Sequence, residues 1–588
     1  MIKKSWLKYT KAFVLILGVM LTLIFISIYF NNKKKLNLVR QELTAFKQSG
    51  DSYLTKMELN DVLLKKQIMA DYNSPKVLEK FAPIHKNINV SQDLLNNATE
   101  DNKNWLHPNG NYNQNRFVSN STINLENVKN LKLAFTLPTS VIGPIESSPI
   151  ISNGIIFVST AFNNIYSFDG KTGALLWHFR YENELGDNFQ YNCCGPNNRG
   201  LAMYHNKLFM GTLDGHLLCI NGNTGKLLWK TLLAKSGSGY SITAAPVVVN
   251  NKVIIGIGDG DMGIKGFVSA LDAETGKLLW TFKTIPDKGQ EGAWKTEDVF
   301  GNKLGRNIDE EKKSLVNFNL AKLGGAGVWT SPAIDLKNNL IIFGTGNATP
   351  ENEAFKRPGD NLFSNSLVAL DLNTGKYKWH FQYLPHENKN FDTSSSPILF
   401  DYEETSKNGF KEKIEAVSIG SKSGNIFTHN RVSGKLLNIS TRMVPQEPSI
   451  SGGISWSPMS YNPKLNLIYS INKVTDNLNQ NKPGRLVAIN PVTGKIKWHY
   501  DGSLINGGVL SLSAGLVFFG EGNGEINMLN AANGQKLWSY QCEAGANGVP
   551  SSYKIEKNQY LIIGCSGNRI AATPRGNKFY VFNLAGAL

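Results

Sequence analysis

The sequence predicts an all-β fold, an eight-bladed β-propeller of tryptophan-docking repeats, behind an N-terminal transmembrane helix and a helical stalk. Three observations predict it: a strand–turn–strand unit that recurs along the chain, a leftover pair of terminal strands, and a charge-free apolar stretch near the start. The unit is clearest in FVSALDAETGKLLWTF, Phe267 to Phe282. Val268, Ala270 and Asp272 alternate with Ser269 and Leu271, the period of a strand. Ala273 to Gly276 make a tight turn in which the glycine supplies the left-handed position, and Lys277 to Trp280 starts the return strand.

Further copies end at Trp177, Trp229, Trp379, Trp498 and Trp538, and a worn copy, IFTHNRVSGKLLN, ends at Asn438. The copies lie mostly about 40 to 60 residues apart, a spacing that signals a propeller or solenoid. Each unit has room for a four-stranded blade. The interval from Trp280 to Trp379 is about double, so an insertion is expected there. Phe135 stands where an eighth tryptophan would fall, and the final strand FYVFNLAGAL has no turn and tryptophan after it. A ring must close its edges, and pairing the two ends does so with eight blades.

Before the ring, residues 12–30 carry no charge and are just long enough to cross a bilayer. They lack the short apolar run and small-residue site of a cleaved leader. Lys3, Lys4, Lys8 and Lys11 precede the stretch, and Lys33, Lys34, Lys35 and Arg40 follow it, so the charge balance does not orient it. We read 1–35 as a membrane anchor, 36–95 as a helical or partly disordered stalk, and 96–588 as the propeller. The net charge of +16 is spread through turns rather than clustered with aromatics. It suits an anionic membrane or an acidic partner rather than nucleic acid.

The five cysteines form no CxxC pair, so zinc-ribbon and thioredoxin chemistry is excluded, and no CxxCH exists to attach a c-type haem. Cys193 and Cys194 are adjacent, either as two buried thiols or as a vicinal disulfide. Cys542 and Cys565 fall in neighbouring strands of the last blade, where a second disulfide could form. Gly258-x-Gly260-x-x-Gly263 formally matches a dinucleotide fingerprint, but the strand FVSALD follows it instead of a helix. It reads better as a glycine-rich turn presenting Asp259 and Asp261 to a hard cation. Trp329 follows a second glycine-rich segment, and Asn347 sits in a turn at a strand end. His386, Glu387 and Asp392 share the loop PHENKNFDTSSSP. No Ser-His-Asp or HExxH spacing supports a hydrolase.

Taken together these stretches resemble the pyrroloquinoline quinone (PQQ) dependent alcohol and methanol dehydrogenases. The resemblance runs from Asn104 to the C-terminus, through NQNRF, NVKNL, the CC and NRGLA segment, GTGN, RPGDN and GVPSSYKIEKNQYLIIGCSG. It implies PQQ and Ca2+ as cofactors and an alcohol or related hydroxyl compound as substrate, with a cytochrome or membrane quinone as acceptor. It implies that Cys193 and Cys194 form a vicinal disulfide over one face of the quinone and that Trp329 stacks on the other. Glu146, Arg199 and Thr243 would meet the cofactor's carboxylates and carbonyls, and Lys422 its quinone oxygens. Asp261 and Asn347 would bind calcium, and Asp392 would be the catalytic base.

The chain departs from the family pattern in places. Asp261 replaces a glutamate, with Asp259 as the alternative ligand. Extra residues precede Asp392, with Phe391 for the usual tryptophan. Ser455 replaces an asparagine. Ser394 stands where lanthanide-using members have a second aspartate, which favours calcium. The implied location is the bacterial inner membrane, single-pass, with the propeller in the periplasm. The competing readings are a decayed PQQ-binding propeller and a non-enzymatic propeller scaffold of the envelope.

Overall fold

The structure is a computed structural model that describes residues 81–182, 195–235, 239–258, 260–319, 323–405, 408–444, 452–474, 484–567 and 573–586. Eight antiparallel four-stranded blades follow one another, with inner strands at Ile150–Ser152, Ala202–Tyr204, Val247–Val249, Ala333–Asp335, Ile398–Thr405, Ser460–Asn462, Leu510–Leu512 and Ser551–Ile555, the seventh extended to five strands by Phe117–Val118, which pairs parallel with Leu510–Leu512. The eighth blade takes its fourth strand from the start of the chain: Lys132–Pro138 pairs antiparallel with Lys578–Asn583. This is the closure expected from the two unmatched ends.

The repeat tryptophans work as wedges between blades. A side chain at Gly225, Gly276, Gly375 or Gly534 would run into Trp177, Trp229, Trp280 or Trp498 of the preceding blade. The turn glycine is thus required twice, for its positive φ and for the flat ring lying on it. Phe135 occupies the eighth position against Gly173, and Asn438 lies against Gly494 where the worn repeat lacks its indole.

The axial channel is plugged by the segment 105–118. Trp105 exchanges backbone hydrogen bonds with Ile151, and the Tyr112 hydroxyl donates to Val248 O at 2.6 Å. The carbonyls of Tyr112, Asn113, Asn115 and Arg116 accept from Ile334, Leu399, Tyr461 and Ser511. Arg116 is fully buried and donates Nε to Val509 O at 2.8 Å. One blade after another therefore has inner-edge backbone groups satisfied by this plug, which explains why it needs no strand pattern of its own. Ahead of it, residues 81–97 pack on the second blade. Val90 pairs with His205, and Ile88, Val90 and Leu95 are buried.

The expected insertion follows the third blade and carries the helix Ile308–Leu315. It is pinned by buried Arg306, which bridges Glu311 at 2.5 Å and Asp360 at 2.7 Å. Cys542 and Cys565 do form a disulfide. They do not lie in neighbouring strands of one blade, however. Cys542 follows the outer strand Lys536–Gln541 of the seventh blade, and Cys565 ends Asn558–Cys565 of the eighth. Among the described residues no helix is long and apolar enough to cross a membrane. The stretch 12–30 lies outside them.

Candidate active site

In an antiparallel four-stranded blade, the loop entering the inner strand and the loop between the second and third strands emerge at the same end. The repeat turns emerge at the other. Glu146, Thr243, Trp329 and Trp456 each stand four residues before an inner strand, and Arg199 three residues before one. Asp261, Asn347 and Lys422 come from loops after second strands. The fold thus gathers residues far apart in sequence onto one end of the axis, above the plug residues Pro108 and Asn109, which line the same pocket as Glu146, Ser148, Arg199 and Trp456.

Two clusters result. The first centres on Arg199. Its Nη1 donates to Thr243 Oγ1 at 2.6 Å, and its Nη2 lies 3.0 Å from Glu146 Oε2. The guanidinium sits over the rings of Trp329 at 5.1 Å and Trp456 at 5.7 Å. Burial raises the Glu146 pKa, and Arg199 opposes that rise. Arg199 Nε has no hydrogen-bond partner among the described residues. A buried donor with unused capacity beside a flat indole suits a planar, polyanionic ligand.

The second cluster centres on Asp392, which is 6% exposed. Its Oδ2 lies 2.5 Å from Lys422 Nζ, and its Oδ1 accepts from the Asn347 backbone N–H at 2.9 Å. Burial raises its pKa, and Lys422 pulls it back. Lys422 Nζ also donates to Asn390 Oδ1 at 2.8 Å. Asn390 Nδ2 in turn donates to Glu351 Oε1 at 2.7 Å, and Asn347 Nδ2 reaches the same oxygen at 3.2 Å. The Glu351 carboxyl is pushed up to about 8 by burial and by its hydrogen bond with Asp261.

The structure therefore brings together Glu146, Arg199, Thr243 and Trp329, and separately Asp261, Asn347, Asp392 and Lys422. Cys193, Cys194 and Asp259 lie outside the described residues. His386 turns away to Gly359 O at 3.0 Å, and buried Glu387 accepts backbone N–H groups of its own loop, including Phe391 at 3.0 Å. Three residues escaped the sequence reading: Trp456, Glu351 and Asn390. Among the described residues no three His, Cys, Asp or Glu side chains converge closely enough to hold an ion alone. Two carboxylates and the Asn347 amide are a hard-oxygen donor set that fits calcium once a ligand adds further oxygens.

The family profile described as the glucose/ethanol/alcohol dehydrogenase beta-propeller domain matches residues 105–453, which hold both clusters except Trp456. A second profile, outer membrane protein assembly factor BamB, matches residues 471–578, beyond both. The chain is 32% identical over 510 residues to quinoprotein alcohol dehydrogenase PedH of Pseudomonas putida, covering 76% of this chain and 83% of that protein. It is 30% identical over 542 residues to quinohemoprotein alcohol dehydrogenase ADH IIB of Pseudomonas putida, covering 82% and 76%. The solved structure of quinohemoprotein alcohol dehydrogenase ADHIIG from Pseudomonas putida HK5 matches with a TM-score of 0.74 at 26% identity, over 86% of this chain and 84% of that one. The chain belongs to the PQQ-dependent quinoprotein alcohol dehydrogenases.

Proposed function

We propose that the protein oxidises an alcohol or related hydroxyl compound, using PQQ and calcium. The observation that carries this reading is the buried Asp392 carboxylate, held between Lys422 Nζ and the Asn347 N–H at the end of the axis that also presents Trp329 and Arg199. When bound, PQQ supplies the two-electron acceptor and calcium the Lewis acidity at its carbonyl. Trp329 offers a flat apolar face for the ring system, and Cys193–Cys194 would cover the other. Arg199 and Lys422 offset the ligand's negative charge, while Glu146 and Thr243 fix the guanidinium that does so. Asp261 and Asn347 hold the metal.

Asp392 takes the substrate's hydroxyl proton. Each of its oxygens has a lone pair left beyond the contacts it makes, and burial brings its basicity toward the range a general base needs. Electrons leave for a cytochrome or a membrane quinone. Residues 12–30 anchor the chain in the inner membrane, the stalk runs from residue 36 and ends before the segment 81–95 that packs on the second blade, and the propeller faces the periplasm. The Cys542–Cys565 bond supports an oxidising compartment.

The test uses the full chain in detergent, loaded with PQQ and calcium, reducing an artificial dye with a panel of alcohols, aldehydes and sugars. Reduction that needs both PQQ and metal is the expected result. PQQ binding without reduction of any dye would favour a decayed site. No PQQ binding at all would favour a scaffold.

A further inference from the structure

The contact between Asp261 and Glu351 calls for a counter-charge. Asp261 comes from the turn Gly260–Met262 after a third-blade strand, Glu351 from the loop after a fourth-blade strand, and their carboxyls share a hydrogen bond. Two carboxylates approach this closely only when a proton or a cation lies between them. Asp392 adds a third negative charge that acts on both. Lys422, the cation beside Asp392, is already taken up by Asp392 and Asn390.

Glu351 is also tied to the proposed metal ligands by direct contact. Its Oε1 receives both the Asn347 and Asn390 side-chain amides, and its carboxyl shares a hydrogen bond with Asp261. It thus lies one hydrogen bond from each protein ligand of the proposed calcium. A further observation points to a bound ligand at this end of the axis. The Ser394 hydroxyl, 1% exposed and two residues from Asp392, has no hydrogen-bond partner among the described residues. Ser394 holds the position, four residues before an inner strand, from which Glu146, Trp329 and Trp456 serve the first cluster.

We propose that Glu351 is itself a ligand of the metal, its carboxylate making up for the reach that Asp261 lacks. This rests on the reading of the site as a metal–PQQ centre. In the loaded state the cation lies between the two carboxyls, and the Asn347 and Asn390 side-chain amides hold the Glu351 side chain in place. A carboxylate drawn from a neighbouring blade supplies a full negative charge where the ligand on the Gly260 turn is one methylene short.

The test titrates Ca2+ and Tb3+ into the PQQ-loaded full chain and into the Glu351→Gln variant. The readouts are calorimetry and Tb3+ luminescence lifetimes in H2O and D2O, which count coordinated waters. The expected result is a Ca2+ affinity at least ~10-fold weaker in the variant, the lower end of what lost metal-site support costs, with one more water on Tb3+. Unfolding in the presence of a chelator should show the variant as stable as the parent, so that the loss is not one of folding. In an Asp261→Glu background, the Glu351→Gln penalty should shrink. Equal affinity and equal hydration in parent and variant would overturn the assignment while leaving the metal–PQQ reading intact. A parent chain that takes up neither PQQ nor metal would overturn both.

Discussion

Removing the ammonium of Lys422 should move the pH dependence of the reaction in a predictable direction. Lys422 Nζ lies 2.5 Å from Asp392 Oδ2, and both side chains are shielded from water, at 13% and 8% exposure. Breaking a buried ion pair by deleting one partner costs about 3–5 kcal/mol, because the other charge is left behind. The loss of that charge raises the Asp392 pKa further. The Asn347 N–H still donates to the carboxylate, so the lower end applies. The sign follows from the role of the group. As the proposed base, Asp392 would act deprotonated; burial already raises its pKa, and Lys422 is the largest influence lowering it. In Lys422→Gln the acidic limb of kcat/KM should therefore move to higher pH, with activity at a fixed pH on that limb falling by about 100-fold, the rate equivalent of about 3 kcal/mol. Lys422→Arg, which keeps the charge, should restore most of the limb. The assay is dye reduction at saturating PQQ and calcium across the pH range. A lowered plateau with an unmoved limb would refute the coupling and leave Lys422 as a cofactor contact only.

Asp392→Asn should bind PQQ as the parent does, seen by absorbance titration, and lose at least ~100-fold in turnover, the lower end of what general-base catalysis provides. Gly375→Ala should destabilise the ring by about 2–4 kcal/mol in denaturant titration, since its methyl would sit 2.4 Å from the Trp280 ring at a φ of +67°; Gly301→Ala, at +81° with nothing within 4 Å, should cost only about 1–2 kcal/mol. Cys542→Ser with Cys565→Ser should cost about 3 kcal/mol, the loop-closure value for a separation of 23 residues. Buried His107 and His429 have pKa values lowered to about 4, mainly by burial. Lowered histidine pKa values mean stability that is complete above about 6.5 and lost as pH falls toward 4, so acid unfolding in that window should take up both protons, read by calorimetry against pH.

What could be read from the sequence followed how locally each feature is encoded. The strand–turn–tryptophan unit is written in consecutive residues, because the turn glycine and the indole that covers the next blade's glycine both belong to it. Spacing alone therefore placed Phe135 as the eighth wedge and Asn438 as a missing one. The plug 105–118 has no such signature. Its role lies in backbone groups matched to inner strands up to hundreds of residues away, and only the family likeness of NQNRF marked it. The disulfide partners were visible but their placement was not: Cys542 lies one residue past the outer strand of the seventh blade, a boundary that the last repeat's tryptophan, Trp538, does not mark.

The site divides along the same line. Glu146, Arg199, Thr243, Trp329, Asn347 and Lys422 sit in short motifs that resemblance could match one by one. Trp456 sits in such a motif too, GGISWSP, where Ser455 departs from the family pattern and the neighbouring indole is the one over Arg199. Glu351 had no marker, because an acid in a polar loop is ordinarily solvated and its meaning comes from a third-blade carboxylate that meets it only in the folded ring. A propeller makes such convergence general. Each blade offers two loops at the same end, so a loss of reach on one blade, such as the short Asp261, can be offset by a charge on the next without any change in the strands between them. Substitutions that look like decay when each motif is read alone can therefore be paired changes within one site, and whether they are is decided by contact across blades rather than by any single loop.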